Sequence, residues 1–335
     1  MKLLAIDGNS IINRAFYGVK MLSNKKGVFT NAIFGFMNIY MKHIADVKPD
    51  AVAVAFDLRS PTFRHKKVDT YKANRKGMPD ELAQQLPMVK ELLGLMGVKV
   101  VECEGFEADD ILGTLSKACS DTNNQCFVLT GDRDSLQLID DNVTVILAKT
   151  KEDVYYTPQQ FMDDYGFEPI KLIDLKALMG DSSDNISGVA GIGEKTASSL
   201  IREYGTIENL YANYEDSALT KSVKTKLANG AESAKQSKWL ATIVRDAPVD
   251  TDIAHYIPAE QDTAGISRML TELEMFKLLD KMKISATEGT NSAPEVIAEE
   301  APVIEVSESP LTSVIIGKLT ECTYLLRDAI LSVRY

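Results

Sequence analysis

Short apolar runs alternate with amphipathic segments of helix length through the first half of the chain. The strand-like runs are KLLAI (2–6), AVAVAF (51–56), VKVVEC (98–103), CFVLT (126–130) and VTVIL (143–147). Between the first two runs, AIFGFMNIYMKHIADV (32–47) spaces its apolar residues as an amphipathic helix does. Strands that alternate with helices favour a mostly parallel sheet flanked by helices, so the pattern predicts an α/β fold.

Helical patterns replace the strand-like runs from about residue 155 onward. LIDLKALMGDSSDNI (172–186) predicts a helix that ends in a polar turn. GVAGIGEKTASSLIREYG (188–205) predicts a glycine-rich hairpin followed by a second helix, and ISRMLTELEMFKLLDKM (266–282) continues the helical pattern. The second half is therefore predicted to be an α-helical domain with a helix–hairpin–helix at about 172–204.

The end of the chain has a different composition. Residues 285–310 contain six Glu, several Pro and Ser, and no Lys or Arg, which is typical of a flexible linker. The predicted division is an α/β core at 1–170 with a basic segment at about 59–90, a helical domain at 171–284, an acidic flexible linker at 285–310 and a short C-terminal remnant at 311–335.

Charge is sorted along the chain. The 335 residues carry a formal net charge of −11, yet residues 59–76 hold seven Lys or Arg against one Asp. Overall acidity therefore does not exclude a nucleic-acid partner. The four cysteines are scattered, no 18 apolar residues run together, and the N-terminal apolar run is too short for a signal peptide. We expect a cytoplasmic protein without disulfides, structural zinc or a membrane partner.

Acidic residues follow four of the predicted strands, at the point where each strand ends. Any one of these positions alone would be an ordinary turn or helix cap, but the carboxyl ends of parallel strands meet at one edge of a sheet. The acids expected there are Asp7, Asp57, Glu107, Asp109, Asp110, Asp132 and Asp134, joined by the D-x-x-D pair Asp181 and Asp184 on one side of a predicted helical turn. Such crowding is costly unless cations neutralise it, so the pattern predicts a metal site.

The chemistry of these side chains narrows the choice of metal. All nine are hard oxygen donors, which favours Mg²⁺ or Mn²⁺ over zinc, and the EF-hand loop pattern of a calcium site is missing. Two such ions about 3.5–4 Å apart can activate a water and stabilise the leaving oxygen of a phosphodiester.

The basic run at 59–76 follows directly on the second predicted strand, so we expect it to hang over the acidic edge. In this interpretation Tyr71 stacks on a base while Lys72 and Arg75 contact phosphates. A solvated surface loop is the alternative. Arg14, in the helix after the first strand, either reaches a phosphate or forms a surface salt bridge.

The glycine hairpin is a second candidate for phosphate contacts. Its order is G-x-x-G-x-G and a helix precedes it, which does not match the dinucleotide-binding pattern. Glycines let backbone N–H groups approach a phosphate at the N-terminus of the next helix, where Lys and Thr side chains add contacts. The residues concerned are Gly188, Gly191, Gly193, Lys195 and Thr196. A simple helix C-cap and turn is the alternative.

Six motifs carry a resemblance to a known family. They are AIDGNSIINRAFY, AFD, TYKANRKGMP, EGFEADDILGTL, TGDRDSLQL and LMGDSSDNISGVAGIGEKTA. In this order they resemble the bacterial 5′ nuclease family, and more narrowly the 5′→3′ exonuclease domain of bacterial DNA polymerase I, over roughly residues 1–284. The resemblance implies a PIN-like 5′ nuclease core and an enzyme that removes 5′ flaps or short 5′ segments, RNA primers included, in DNA replication and repair.

The resemblance also implies roles for individual residues. The nine acids map onto a two-metal site in which Asp57 and Asp109 are catalytic. The basic run maps onto an arch over that site, where Lys72 matches the motif lysine that contacts the scissile phosphate and Arg75 assists it. The helix–hairpin–helix of the family grips duplex DNA and often a K⁺ ion. DNA with 5′ ends, flaps or nicks is the implied partner, and we expect a monomer.

The sequence thus predicts a metal-dependent 5′→3′ exonuclease and flap endonuclease that leaves 5′-phosphates. Two alternatives stay open: a non-catalytic DNA-junction binding module, which predicts a broken acid set, and a related PIN-type ribonuclease, which does not need the long helical half. Because only about 25 residues follow the linker, no polymerase domain is expected in this chain.

Overall fold

The structure is a computed structural model that describes residues 1–149 and 152–285. Its strands are β1 (Lys2–Asp7), β2 (Ala51–Ala55), β3 (Lys99–Val101), β4 (Gln125–Thr130), β5 (Val143–Leu147) and β6 (Val154–Tyr156). Its α-helices are α1 (Gly8–Gly18), α2 (Asn31–Val47), α3 (Phe63–Lys67), α4 (Asp80–Leu95), α5 (Ala108–Asp121), α6 (Pro158–Tyr165), α7 (Leu172–Met179), α8 (Glu194–Tyr204), α9 (Ile207–Asn213), α10 (Lys221–Ala241), α11 (Thr263–Glu272) and α12 (Phe276–Met282). Short 3₁₀ helices occupy Asp134–Leu138, Pro169–Lys171 and Ile253–Tyr256.

The strands form one sheet in the order β3-β2-β1-β4-β5-β6. The first five are parallel to their neighbours, and β6 pairs antiparallel with β5. The predicted mostly parallel α/β sheet is therefore confirmed. The sequence interpretation missed β6, because VYY stands between the polar residues Asp153 and Thr157, whereas the equally short β3 lies within the longer apolar run VKVVEC.

Alternate residues of each central strand enter apolar cores on opposite faces of the sheet. Leu4 and Ile6 pack with α1, α2 and α4, whereas Leu3 and Ala5 pack with α5 and helices of the second half. All four side chains are fully buried. A parallel strand covered on both faces reads as a continuous apolar run, which is why KLLAI shows no alternation.

The chain returns to the α/β layer after α10. The Ala259 N–H donates to the carbonyl of Gly97 at 2.9 Å, and the Asp262 N–H donates to the carbonyl of Leu95 at 2.8 Å. Ile266 of α11 is fully buried in the same core as α4. The last two helices thus cover the α/β core, although the sequence interpretation placed them in the helical domain. No helix in the described ranges is both long and apolar enough to cross a membrane.

The two helices predicted around the glycine hairpin are α7 and α8, joined by residues 180–193. Asp181 and Ile186 pair as an isolated antiparallel bridge. The D-x-x-D pair therefore lies in a closed turn and not on a helical turn, which corrects that part of the prediction. The predicted linker and C-terminal remnant lie outside the described residues, except for residue 285.

Candidate active site

The carboxyl ends of β1, β2 and β4 open into a polar cavity of about 200 Å³. Its wall contains Asp7, Asn9, Ser10, Asn13, Asp57, Lys72, Arg75, Glu107, Ala108, Asp109 and Asp132. The strand-end acids therefore meet at one edge of the sheet, as parallel strands require.

Asp7 is both the last residue of β1 and the N-cap of α1. Its carboxylate accepts hydrogen bonds from the Ser10 N–H at 2.9 Å and from the Thr130 hydroxyl at 2.8 Å. Burial raises the pKa of Asp7 to about 7 despite these donors, and the negative charges of Asp57 and Asp132 add to the rise. The hydrogen-bond donors around Asp7 therefore do not fully compensate the negative charge in the cavity wall.

Asp57 and Asp109 extend this negative surface. The Ala108 N–H at the start of α5 donates to Asp57 at 2.7 Å, which ties the end of β2 to the helix that carries Asp109. Burial raises the pKa of Asp57, and Glu107 adds to it. Burial also raises the pKa of Asp109 well above its usual range, with further contributions from Asp7 and Asp132.

Asp110 faces away from the cavity, into a buried ion pair. Its two oxygens each accept a 2.7 Å hydrogen bond from Arg64, and it also accepts from the N–H groups of Glu107 and Val244. Asp110 is completely inaccessible to solvent. Its oxygens are committed to fixing α5 and the segment after α10, so we correct the predicted metal set by leaving Asp110 out.

Two residues of the basic run, Lys72 and Arg75, lie in the wall of the cavity. Lys72 Nζ lies 2.9 Å from Glu107 Oε1 and 3.7 Å from Asp184 Oδ2, and Arg75 pairs with Asp184. Tyr71 differs from its prediction: its ring is 3% exposed and its hydroxyl donates to Glu107 Oε2 at 3.1 Å. A buried ring cannot stack on a base, so the base-stacking role is wrong.

A second cavity, of about 400 Å³, adjoins the first and contains Asp132, Asp134, Lys176 and Asp181. The Lys176 ammonium bridges Asp134 and Asp181. Burial raises the pKa of Asp134 to about 7, and Asp132 contributes. Burial opposes ionisation of Asp181 as well, but Lys176 outweighs it and lowers that pKa to about 2.

The donor set suits a hard divalent cation, although the side chains are turned towards protein donors. In the part of the chain that the structure describes, no three His, Cys, Asp or Glu side chains converge as a ready metal site. Lys72, Arg75 and Lys176 hold several of the acids. The buried carboxylates with raised pKa values nevertheless mark negative charge that a hard cation would neutralise.

The hairpin residues divide into exposed and packed positions. Gly191, Gly193 and Lys195 are exposed, and Gly193 is the N-cap of α8. Thr196 is half-buried beside them. Gly188 is buried at a φ of 61°, and a Cβ there would lie 2.3 Å from the Gly180 nitrogen. Gly188 therefore serves close backbone packing, which corrects its predicted role in phosphate contact.

Arg14 is not among the residues in the wall of the carboxylate cavity. It lines a separate groove of about 680 Å³ between α1, α2 and the segment after β5, together with Lys42 and Lys149. Asn13 belongs to the wall of this groove and to the wall of the carboxylate cavity.

Comparison with known proteins identifies the family. Residues 2–166 match the model of the 5′-3′ exonuclease N-terminal resolvase-like domain, and residues 167–264 match that of the 5′-3′ exonuclease C-terminal SAM fold. The chain belongs to the 5′-3′ exonuclease family. The resolvase-like and SAM-fold descriptions agree with the predicted α/β core and helical domain.

Curated relatives of this 5′-3′ exonuclease include DNA polymerases. DNA polymerase I of Caldicellulosiruptor bescii is 38% identical over 318 residues, which are 94% of this chain and 37% of that protein. DNA polymerase I of Bacillus subtilis is 44% identical over 255 residues, which are 76% of this chain and 29% of that protein. The chain thus spans about a third of the length of the curated relatives it matches.

Solved structures share the fold at lower identity. The 5′-exonuclease of bacteriophage T5 with bound divalent metal ions superimposes with a TM-score of 0.61 at 20% identity, over 85% of this chain and 99% of that one. The catalytic core of Rad2 in complex with DNA gives a TM-score of 0.57 at 17% identity, over 85% of this chain and 92% of that one.

Two residues of this exonuclease site escaped the sequence interpretation. Lys176 left a usable signal, because it is the one cation in the helix LIDLKALM, where six of the eight residues are apolar. Arg64 left none, since six other Lys and Arg residues surround it between residues 59 and 76. Its burial against Asp110 depends on contacts 46 residues apart in the chain.

Proposed function

We propose that this 5′-3′ exonuclease cleaves DNA at 5′ ends, nicks and flaps, RNA primers included, and leaves 5′-phosphates on the products. The observation that carries the proposal is the cavity at the carboxyl edge of the sheet, where Asp7, Asp57, Asp109 and Asp132 lie beneath the cations Lys72 and Arg75. A polyanionic substrate needs both features, a cation site for the reaction and a cationic rim for its phosphates.

We propose Mg²⁺ or Mn²⁺ as the catalytic cations. The purely carboxylate donor set supports this choice. The T5 5′-exonuclease structure supports divalent metal binding in general, since its bound ions are zinc. The residues that would hold two such ions are Asp7, Asp57, Glu107, Asp109, Asp132, Asp134, Asp181 and Asp184. Bound divalent cations supply activation of a water and stabilisation of the leaving oxygen.

The cationic residues orient the phosphate and balance its charge. Lys72 already lies at the rim of the cavity, with its ammonium 2.9 Å from Glu107. Burial disfavours the ammonium, but Glu107 and Asp184 raise its pKa, so Lys72 stays protonated at neutral pH. Lys72, assisted by Arg75, would offset the charge that develops on the transferring phosphoryl group.

Duplex DNA would bind to the helical half. The exposed N-terminus of α8 presents Gly193, Lys195 and Thr196 to solvent, and helix N-termini attract phosphates. K⁺ at the hairpin remains part of this proposal. It would have to displace the Lys226 ammonium, which donates to the carbonyl of Gly191 at 2.9 Å. We further propose a cytoplasmic monomer whose catalytic core is residues 1–170.

Cleavage of a labelled 5′-flap duplex tests this function. For the wild type we expect Mg²⁺-dependent release of the flap and little cleavage of a blunt duplex or of single-stranded RNA. The variant that combines Asp57→Ala and Asp109→Ala should cleave the flap at least about 100-fold more slowly, since its metal site is removed. Flap binding should remain measurable in that variant.

Asp121→Asn is the matched control, because Asp121 is an exposed acid at the far end of α5 and should leave cleavage unchanged. No metal-dependent cleavage of the flap by the wild type would refute the enzymatic proposal and favour a junction-binding module. Preferential cleavage of single-stranded RNA would favour a PIN-type ribonuclease.

A further inference from the structure

Two loops from different halves of the chain are fastened together beside the active site. We propose that this interlock between residues 70–75 and 181–186, here called the loop clasp, positions the Lys72 ammonium for the reaction. Asn185 is its central positioning residue. The inference rests on the proposed function, because it takes Lys72 as the residue that meets the reacting phosphate.

Three hydrogen bonds form the loop clasp, and each ends on a backbone carbonyl. They run from Lys72 N–H to the Asp184 carbonyl (2.9 Å), from Asn185 Nδ2 to the Thr70 carbonyl (2.6 Å) and from Asn74 Nδ2 to the Ser182 carbonyl (2.6 Å). Because the acceptors belong to the main chain, the clasp fixes the path of both loops and not only their side chains.

The backbone of Lys72 is left-handed, with a φ of 56°. This conformation is uncommon for a residue with a long side chain, and such a residue keeps it only where its surroundings enforce it. Lys48 and Lys283, which share it, are helix C-caps, where a left-handed residue is ordinary. Lys72 lies at no helix end. Its N–H donates to Asp184 in the loop clasp and its carbonyl accepts from the Arg75 N–H at 3.0 Å, so the clasp is the contact from outside its own turn that holds this backbone.

The left-handed backbone decides where the Lys72 side chain points. Its ammonium lies 2.9 Å from Glu107 Oε1 and 3.7 Å from Asp184 Oδ2, on the wall of the cavity that contains Asp109. If Lys72 relaxed to a right-handed or extended φ, its Cβ would leave along a different direction and carry the ammonium away from the acids.

A substitution at Asn185 can remove one hydrogen bond of the loop clasp without straining the backbone. The φ of Asn185 is 56°, a conformation that Asn and Gly accept more readily than other residues. Asn185→Gly therefore removes the amide that holds Thr70 and leaves the backbone of the turn allowed. Asn123→Gly is the matched control, since Asn123 has a φ of 55° in the exposed turn after α5, remote from the clasp.

The test is a double-mutant cycle on kcat and KM for a 5′-flap substrate with Mg²⁺. We expect Asn185→Gly to lower kcat by roughly tenfold with KM within about twofold of wild type, because a misplaced catalytic group costs turnover more than binding. We expect Lys72→Ala to lower kcat by about 100-fold. In the Lys72→Ala background, Asn185→Gly should change kcat by less than about twofold, because the group that it positions is gone.

The remaining outcomes separate the clasp from the proposed function. If the losses of Asn185→Gly and Lys72→Ala multiply, Asn185 acts independently of Lys72 and the loop clasp does not position it. The same conclusion follows if Asn185→Gly turns over like wild type or if Asn123→Gly is equally impaired. If Lys72→Ala cleaves the flap with Mg²⁺ as fast as the wild type does, the proposed role of Lys72 is wrong, although the nuclease proposal stands. Equal melting temperatures for the two Asn variants show that unfolding does not explain the result.

Discussion

At the scale of single residues, Asp7 sits where its charge costs stability. An asparagine in its place could still accept the N-cap hydrogen bond from the Ser10 N–H and face the Thr130 hydroxyl. Only the buried negative charge would be lost. The Asp7 carboxylate therefore suits a bound cation but destabilises the fold when no metal is present.

We predict that Asp7→Asn stabilises the metal-free protein at pH 8 by roughly 2 to 4 kcal/mol, since the folded pKa of Asp7 is about 7 against an ordinary value of 3.8. Between those two values the folded state binds a proton that the unfolded chain has released. The wild type's free energy of unfolding therefore falls as the pH rises from about 4 to about 7, relative to the variant. Urea unfolding in EDTA at pH 5 and pH 8 measures the difference.

The stabilisation should shrink at pH 5 and reverse when saturating Mg²⁺ is added, because a cation bound by the wild type favours its folded state. Asp121→Asn, at an exposed position, should track the wild type at both pH values. Equal stability of Asp7→Asn and wild type at pH 8 in EDTA would contradict a costly charge at Asp7.

The neighbours Asp109 and Asp110 show what single residues reveal only in three dimensions. Both are acids in the first turn of α5, and nothing in EGFEADDILG separates their roles. The helix turns them apart, so Asp109 lines the cavity while Asp110 accepts two hydrogen bonds from Arg64. The partner of Asp110 lies on α3, and no local pattern connects the two positions.

At the scale of elements, two glycines of the hairpin have different roles, close backbone packing at Gly188 and an open helix N-cap at Gly193. Gly188 lets two backbone segments touch, and its neighbour Val189 packs against Gly230 of α10, where a Cβ would lie 2.6 Å from the Val189 side chain. Gly193 has open space around the Cβ position and caps α8. The first glycine fixes the hairpin on the helical domain, and the second leaves the helix N-terminus accessible.

We predict that Gly188→Ala destabilises the protein by about 2 to 4 kcal/mol, because it combines a left-handed φ with a backbone clash. Gly193→Ala should cost about 1 kcal/mol or less, as expected for an N-cap glycine without neighbours. Urea unfolding of the two variants in parallel checks the contrast. Equal destabilisation would mean that the packing of residue 188 is not the reason for its glycine.

At the scale of the whole molecule, a net charge of −11 coexists with a surface suited to DNA. The exposed cations Lys195 on α8 and Lys221 on α10 belong to the helical half, and the half-buried Lys226 of α10 contacts the hairpin through the carbonyl of Gly191. The acids that dominate the cavity carry the opposite sign. Local fields rather than the overall charge govern the approach of a polyanion.

We predict that flap-duplex affinity weakens steeply with KCl, and that Lys195→Ala lowers the slope of log K against log[KCl] by about 0.9, the value for one lost phosphate contact. Fluorescence anisotropy in EDTA, which prevents cleavage, provides the measurement. Lys117→Ala on the exposed face of α5 is the control and should keep the wild-type slope. An unchanged slope in Lys195→Ala would remove Lys195 from the proposed DNA contacts.

The sequence by itself determined five of the six strands of the described sheet, their alternation with helices, and the convergence of acids at one edge. Each follows from local information, since apolar runs mark buried parallel strands and an acid after such a strand lies at its carboxyl end. The sequence also located the glycine hairpin and the basic arch, because glycine spacing and charge runs are visible without any distant contact.

Only the tertiary structure decided which acids face the cavity, that Tyr71 is buried, that Lys176 bridges two acids, and that the last helices return to the α/β core. It also decided the left-handed backbone of Lys72. These features depend on partners far apart in the chain. Burial, hydrogen bonding and pKa are set by which groups surround a side chain in space, and the neighbouring letters of the sequence do not specify those groups.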